Sequence, residues 1–279
     1  MGLESRHWGL ELGDFNPKSL ISSLHEEQFT AYFGVPLEAK GKLNGVLELY
    51  HRSPLEPNPE WLAFLDTLAR QTAIAIDNAS LFNELQGSNL ELRMAYDTTL
   101  DGWANALELR DKETEGHSKR VTDLTLRLAS AMGITGDDLV QIRRGTALHD
   151  IGKMGISDSI LFKPGPLTED EWEIMRLHPT MAYNLLSSIP FLRPALDIPY
   201  CHHEKWDGSG YPRGLQGEQI PLQARIFAII DVWDALINDR PYRKAWREAD
   251  ALAYVKEQAG AHFDPQVVEA FLRLLSAHC

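Results

Sequence analysis

The sequence predicts an α+β protein in which a small amino-terminal α/β part precedes a larger part built from helices. Residues 29–37 and 45–50 are rich in aromatic and β-branched side chains and flank the turn signal Lys40-Gly41-Lys42, which predicts a β-hairpin. From Tyr96 to the carboxyl terminus, the pattern is that of helices joined by loops that contain glycine or proline. An all-α bundle is therefore expected for most of the chain.

A long helix is predicted between these two parts. It begins at Glu60 or Trp61, and apolar or small residues then recur every three or four positions as far as Leu85. Past about Leu81 less of the small part is left to pack against, so residues 81–100 are predicted to be a connecting helix. A second copy of the chain is one candidate partner for its apolar face, which would make a homodimer.

Composition and charge exclude several classes of function. With 279 residues, of which 44% are hydrophobic, the chain can bury the core of one large or two modest domains. Its net charge of -13 argues against binding to duplex nucleic acid, which requires a basic surface. No run approaches the roughly 20 apolar residues of a membrane span, and residues 1–16 do not resemble a secretory signal. Two distant cysteines make no disulfide framework, so a cytoplasmic location is expected.

Eight residues in the helical part are candidate metal ligands. They are Glu113, His117, His149, Asp150, His178, His202, His203 and Asp231. Imidazole nitrogens and carboxylate oxygens suit iron, manganese or zinc, and eight ligands exceed what one ion can use, which predicts two or three ions. Glu113 and His117 are four residues apart and would share one face of a helix. His149 and Asp150 are adjacent, which on a helix would separate their directions by about 100°.

Each candidate ligand has a simpler explanation when it is taken alone. A lone histidine on an apolar helix is more often a hydrogen-bonded core residue, and a lone Glu-x-x-x-His is usually a solvated pair. The joint pattern favours a metal site, because five of the ten histidines belong to it. The remaining histidines lack partners at ligand spacing and are assigned to surface or structural positions: His7, His25, His51, His262 and His278.

The amino-terminal part resembles the carboxyl-terminal half of a GAF domain, a small sensory fold. The resemblance is carried by Val35-Pro36-Leu37, Gly45-Val46-Leu47 and the run 68–76, and it covers roughly residues 29–85. Little chain precedes Phe29 for the opening elements of that fold. A truncated GAF-like module is therefore expected over residues 1–80.

Two motifs in the helical part resemble the HD-GYP family, the cyclic di-GMP phosphodiesterases within the HD metal-hydrolase superfamily. The first is His149-Asp150-Ile151-Gly152-Lys153, and the second is the run HHEKWDGSGYP at residues 202–212. Together they are far more specific than an HD dipeptide alone. The resemblance covers about residues 96–275 and implies an HD-GYP phosphodiesterase domain at residues 101–279 that acts in bacterial second-messenger signalling.

The resemblance also implies the ligand set and the metal. The family's ligands fall on His117, His149, Asp150, His178, His202, His203 and Asp231, and Glu113 matches the extra carboxylate of members with three ions. Glu113 thus favours three ions over two, while a two-ion site with Glu113 outside the coordination sphere stays open. The superfamily implies iron or manganese, although the ligand types alone also allow zinc.

The mechanism implied by the resemblance is hydrolysis of a phosphodiester by activated water. Cations coordinated in part by Asp150 lower the pKa of a water that they share, so that it can attack phosphorus at neutral pH. Lys153 resembles the family lysine that contacts the scissile phosphate, although as a bare sequence feature it would be a solvated lysine. Arg240 and Arg243 resemble the family's substrate-facing turn, where their planar guanidinium groups would bind phosphate oxygens or a guanine edge.

The GYP turn is a further candidate contact with substrate. Tyr211 is expected to present its ring or hydroxyl to the ligand, and Gly208 and Gly210 permit tight backbone turns that bring it close to the metals. A purely structural role for these glycines stays open. Cys201 precedes His202, but no separate base is left to activate it as a nucleophile.

The predicted reaction is hydrolysis of cyclic di-GMP to pGpG, and to GMP if the second bond is also cut. Two alternatives stay open. In the first, the fold is a non-catalytic receptor for cyclic dinucleotides or a docking module for a diguanylate cyclase, although such a protein would be expected to lose ligands and none is missing. In the second, the substrate is another cyclic dinucleotide such as cyclic GMP-AMP.

Overall fold

The computed structural model describes residues 29–111, 116–239 and 244–277. These residues form an α+β fold, as predicted, with two strands followed only by helices. The boundary between two compact units lies between Arg93 and Met94. Within the described ranges, no helix is both long enough and apolar enough to cross a bilayer.

The predicted β-hairpin is confirmed. Strands β1 (Ala31–Ala39) and β2 (Lys42–His51) pair antiparallel. The turn residues Lys40 and Gly41 both have positive φ, 52° and 76°, as a two-residue hairpin turn of this kind requires. One face of the hairpin packs Leu37 and Ala39 against small residues of the following helix, which gives the first unit its core.

A single helix, α1 (Pro59–Asp111), follows the hairpin. It starts at Pro59, one residue before the predicted start at Glu60 or Trp61. Asn58 Oδ1 accepts a hydrogen bond from Trp61 N at 2.8 Å, and Pro59 has no N–H that needs a partner in the first turn. The predicted helix to Leu85 and the predicted connecting helix at residues 81–100 are thus parts of one element. The division into segments 1–80, 81–100 and 101–279 stays a prediction.

The rest of the chain is helical, with nine further α-helices among the described residues. They are α2 (His117–Ala131), α3 (Asp137–Ala147), α4 (Asp158–Leu161), α5 (Glu169–Met175), α6 (His178–Ser187), α7 (Asp197–Cys201), α8 (Leu222–Ile237), α9 (Glu248–Glu257) and α10 (Pro265–Ser276). Short 3₁₀ helices lie at Ile151–Gly155, Pro190–Ala195 and Gly217–Gln219. Among the described residues, the predicted metal ligands lie at the ends of these helices or between them, except Asp231, which lies within α8.

The core of the second unit lies beneath the predicted ligands. Buried side chains of α2, α3, α8, α9 and α10 form one cluster that includes Leu128, Ile142, Phe227 and Phe271. The Phe227 ring lies 4.8 Å from the ring of His149 and 5.9 Å from that of His202. The hydrophobic core therefore forms one boundary of the site and removes these imidazoles from bulk water.

Candidate metal centre

Seven of the eight predicted ligands come together in two adjoining groups. One group contains Asp150, His178, His202 and His203, and the other contains His117, His149 and Asp231; within each group the ligand atoms lie within 4.8 Å of one another. Asp150 joins the two, because its Oδ2 atom lies 3.1 Å from Nε2 of His149. Glu113 lies outside the described residues, so its contribution stays a prediction.

Two long helices supply His117 and Asp231 of the second group. His117 is the first residue of α2 and follows Gly116, whose φ is 75°, so α2 does not extend backward past it. Glu113 lies outside the described residues, so the helical face expected to be shared by Glu113 and His117 stays a prediction. Asp231 lies on α8 one turn after Phe227, so the core-facing side of this helix also presents the carboxylate.

His149 and Asp150 do not lie on a regular helix, so the separation of about 100° that a helix would impose does not apply to them. Helix α3 ends at Ala147, and Asp150 has φ −100° and ψ 8° just before the 3₁₀ helix that starts at Ile151. This irregular backbone lets adjacent side chains reach the same point, where a regular helix would have separated them. The two residues thus contribute to neighbouring groups of ligands.

A close contact between backbones places His178. His178 is the first residue of α6, and its carbonyl oxygen lies against Gly152, where a Cβ atom would be well under 3.0 Å from it. Gly152 is therefore required for the approach of α6 to the HD motif. The pair His202 and His203 directly follows the short helix α7.

Three of the histidines have the same protonation pattern on their rings. In His149, Nδ1 lies 2.8 Å from the carbonyl oxygen of Thr146. In His178 it lies 2.8 Å from the carbonyl oxygen of Met175, and in His202 it lies 3.0 Å from that of Ile198. A carbonyl oxygen can only accept, so in each neutral ring Nδ1 carries the proton and Nε2 carries a lone pair. Metal-binding histidines are oriented by outer contacts of this kind.

The acceptor atoms of the first group face one another. Nε2 of His178 lies 3.5 Å from Nε2 of His202 and 3.2 Å from Oδ1 of Asp150. Oδ1 of Asp150 is buried and has no hydrogen bond among the described residues. Lone pairs that converge without a proton between them repel one another, and a shared cation removes that repulsion. The group therefore fits a divalent metal ion, for which His and Asp are ordinary ligands.

Burial and local charges keep these ligands in the metal-binding protonation state. Burial lowers the pKa of His202, and it lowers that of His203 well below the usual value with further help from the neighbouring imidazoles. Burial alone would raise the pKa of Asp150, but Lys153 and His149 hold it well below the usual range. At neutral pH Asp150 is therefore an ionised carboxylate, and His202 and His203 are neutral imidazoles.

Asp234 is a site residue that sequence reasoning missed. Its Oδ2 atom accepts from Nδ1 of His117 at 2.7 Å, and both of its oxygens accept from the Arg120 guanidinium at 2.8 and 3.0 Å. Burial would raise the pKa of Asp234, but hydrogen bonds from His117 and Arg120 lower it to about 2. The signal was present, because Arg120 and Asp234 each lie three residues after a predicted ligand, His117 and Asp231, and so near the same helical face.

Substitution of Asp234 is expected to weaken metal binding. Asp234→Ala removes the acceptor that orients His117 and should lower the affinity of the second group for metal by about 10–100-fold, the usual cost of losing an outer contact. Asp234→Asn keeps an oxygen acceptor and should lose less. Competition with a chromophoric chelator measures the affinity, with Asp138→Asn on the exposed start of α3 as control. Equal affinities for Asp234→Ala and the unmodified protein would contradict this role.

Lys153 lies at the site, as predicted. Its Nζ atom is 2.6 Å from Oδ2 of Asp150 and 3.2 Å from Oδ2 of Asp111. The Lys153 side chain is 15% exposed, so the alternative of a solvated surface lysine is wrong. Asp111, the last residue of α1, was not predicted as a site residue.

The GYP turn lies beside the first group. The Tyr211 ring stacks on that of His203 with a centroid distance of 4.7 Å, and Glu204 accepts hydrogen bonds from the backbone N–H groups of Arg213 and Leu215. A Cβ atom at Gly210 would collide with the Lys205 backbone, so this glycine is sterically required. Glu204 was missed by the sequence analysis, although it belongs to the HHE run.

These groups line one cavity of about 870 Å³ in the second unit. Asp150, His178, His203 and Asp231 contribute ligand atoms to its wall, and Lys153 and Tyr211 also line it. A cavity of this size accommodates a ligand of several hundred daltons. Arg240 and Arg243 lie outside the described residues, so their predicted contacts with substrate stay predictions.

Cys201 has no chemical role at this site. It is buried, and burial raises the pKa of its thiol to about 12, with a further contribution from Glu204. The thiol is therefore protonated at neutral pH and a poor nucleophile. This agrees with the sequence analysis.

Comparison with known proteins identifies similar chains. The HD domain family matches residues 103–267, and the GAF domain family matches residues 10–76, which begins upstream of the start at Phe29 expected from the sequence. The chain is 44% identical over 196 residues to the cyclic di-GMP phosphodiesterase response regulator RpfG of Xanthomonas campestris, covering 70% of this chain and 52% of the relative.

Two further relatives differ from each other in the substrate that their names give. A cyclic di-GMP phosphodiesterase of Thermotoga maritima is 44% identical over 169 residues, covering 60% of this chain and 46% of the relative. The 3'3'-cGAMP-specific phosphodiesterase 2 of Vibrio cholerae is 40% identical over 201 residues, covering 71% of this chain and 37% of the relative. The chain thus spans about half or less of the length of these relatives. Because the HD domain match covers more than half of its residues and contains every predicted ligand, the chain belongs to the HD domain family.

Proposed function

We propose that this chain is a metal-dependent phosphodiesterase that hydrolyses cyclic di-GMP to pGpG, and to GMP where the second bond is also cut. The observation that carries the proposal is that seven residues with nitrogen and oxygen ligand atoms converge in two adjoining groups, and that four of these residues line one cavity. The names of the relatives from Xanthomonas campestris and Thermotoga maritima, both cyclic di-GMP phosphodiesterases, support the choice of cyclic di-GMP.

The proposed site holds two or three divalent ions, with iron or manganese expected. Asp150, His178, His202 and His203 would hold one ion, and His117, His149 and Asp231 would hold another; Glu113 is the proposed extra ligand of a third. When bound, the ions activate water for attack at neutral pH and neutralise charge on the phosphodiester. Nitrogen and oxygen ligands without a thiolate suit iron and manganese, and the resemblance to the HD superfamily favours these two over zinc.

The protein side chains bind and orient the substrate. Asp150 keeps the Lys153 ammonium within 2.6 Å of its own carboxylate, so a phosphate bound at the metal ligands has a cation beside it. In the reaction, the oxygen of water forms a bond to phosphorus and the bond from phosphorus to the ribose 3' oxygen breaks. That oxygen leaves as a hydroxyl with a proton from the water, which yields a 5'-phosphate and a free 3'-hydroxyl.

Hydrolysis of cyclic GMP-AMP is the second candidate function. The observation that favours it is the 40% identity to a Vibrio cholerae phosphodiesterase named as specific for 3'3'-cGAMP. Both substrates present the same kind of phosphodiester to the ligand groups and differ in one base. A non-catalytic receptor is less favoured, because all seven described ligand positions keep residues that bind metal.

Turnover with both dinucleotides tests the proposed function. Protein reconstituted without oxygen with Fe²⁺ or Mn²⁺ is incubated with cyclic di-GMP or cyclic GMP-AMP, and the products are separated by chromatography. We expect pGpG or GMP from cyclic di-GMP, and a higher kcat/KM for it than for cyclic GMP-AMP. Metal-loaded protein that binds cyclic di-GMP in calorimetry and cleaves neither substrate would instead be a receptor.

Several expectations outside the site remain proposals. A homodimer through residues 81–100 is supported by exposed apolar residues of α1, among them Phe82, Leu85 and Leu92, whose side chains are 52–62% exposed in the described structure. A diguanylate cyclase partner, the cytoplasmic location and the three-part domain division rest on the sequence analysis alone.

A further inference from the structure

One part of the cavity wall has no place in the proposed metal chemistry. Phe162, Trp172 and Met175 line the same cavity as the ligand residues Asp150 and Asp231. A phosphodiester bound at the ligand groups would occupy only part of about 870 Å³. The bases of a dinucleotide must contact other parts of the wall, and this part is apolar and aromatic.

Trp172 is too exposed for an ordinary packing residue. Trp172 is 41% exposed, although tryptophan has the largest side chain of any amino acid. The residue also lines the cavity. No residue of helix α5, which carries it, is buried. An indole left in contact with water has apolar area available for a ligand, and its flat face suits a nucleobase.

The backbone that carries Trp172 is held in place before any ligand binds. The preceding residue, Glu171, forms the capping box with Thr168 that the sequence pattern of α5 indicates, and it is ion-paired with Lys163. Trp172 N donates to the Thr168 carbonyl oxygen at 2.9 Å, and Arg176, one turn later, has its guanidinium 5.9 Å from the indole ring centre. A platform fixed in this way loses little conformational entropy on binding.

The charges next to Trp172 also suit a nucleotide. The chain has a net charge of -13, yet the Arg176 guanidinium lies 5.9 Å from the Trp172 ring centre, and Lys163, which is ion-paired with Glu171, also lines the cavity. An aromatic face beside cations is the combination with which proteins bind single nucleotides, because the ring stacks on the base and the cations attract the phosphate.

We propose that Trp172 is a stacking platform for one purine base of the bound dinucleotide. The identity of the ligand rests on the proposed function, whereas the stacking itself does not require turnover. Trp172 would thus determine affinity for purine nucleotides, while the metal ligands and Lys153 bind the phosphodiester.

Calorimetry with two small ligands isolates the contribution of the base. GMP carries a purine and a phosphate, and ribose 5-phosphate carries the phosphate without a base. Both are titrated into the metal-loaded full-length protein and into the variants Trp172→Ala and Trp172→Phe. The matched control is Trp103→Ala, because Trp103 on α1 is also 41% exposed and does not line the cavity.

We expect Trp172→Ala to weaken GMP binding about tenfold, the usual effect of removing one stacked aromatic ring, and to leave ribose 5-phosphate binding within about twofold. Trp172→Phe keeps an aromatic ring and should lose less, and Trp103→Ala should match the unmodified protein. An unchanged ratio of the two dissociation constants in Trp172→Ala would overturn the proposal, whether both ligands keep their affinity or both lose it equally. Failure to cleave cyclic di-GMP would overturn the proposed function without affecting this result.

Discussion

Asp150→Asn is expected to remove bound metal and to reduce phosphodiester hydrolysis to background. Asp150 belongs to one ligand group and lies 3.1 Å from His149 of the other, so its charge serves both. The substitution removes that charge from a buried cluster of lone pairs, and the amide can turn its N–H₂ group toward them. We expect metal affinity to fall by more than about 100-fold. This exceeds the usual effect of substituting a residue that contacts a ligand but not the metal itself.

Elemental analysis after dialysis and turnover of cyclic di-GMP measure these effects. Asp138→Asn makes the same chemical change at an exposed position and should keep both metal and activity. Circular dichroism of both variants establishes that each is folded. A folded Asp150→Asn protein that retains two ions and normal turnover would show that Asp150 is not a ligand.

Gly152→Ala should disrupt the site through the backbone, without touching a ligand side chain. The added methyl group would overlap the carbonyl oxygen of His178, so either α6 or the HD motif must shift. Because His178 and Asp150 then separate, metal binding and activity should be lost together. The overlap with backbone atoms is also expected to destabilise the second unit by about 1–3 kcal/mol, as overpacking does.

Gly102→Ala is the matched control. Gly102 lies within helix α1, and a Cβ atom there meets no atom within 4 Å. This substitution should be neutral or should stabilise the protein by up to about 1 kcal/mol, since alanine favours the helix more than glycine does. Thermal unfolding and metal content separate the two variants. Normal metal content in Gly152→Ala would contradict the proposed role of this contact.

The residues that converge at the candidate metal centre were predictable, because residue types and motif spacing single them out. Seven of the predicted ligands lie in the two groups, and Lys153 lies beside them. The hairpin and the capping box at Thr168 were also predictable, since both depend on a few neighbouring residues. Local signals of this kind survive folding because tertiary contacts do not oppose them.

The geometry around the ligands was not predictable, because distant packing decides it. Helix α3 ends at Ala147 and Gly152 lies against the first residue of α6, and neither feature is encoded in the motif itself. Asp234 is 117 residues from His117, and their contact exists only through the packing of α8 on α2. Trp172 carried no signal in the sequence, because exposure inside a cavity is a property of the fold.

Anomalous scattering from crystals of the manganese-loaded protein tests the central claim most directly. We predict at least two manganese peaks, one about 2 Å from the Nε2 atoms of His178 and His202 and one at similar distance from those of His117 and His149, with Asp150 contacting both. Manganese peaks away from these residues, or a single surface peak in protein with measured metal content, would contradict the metal site and the hydrolase mechanism that depends on it.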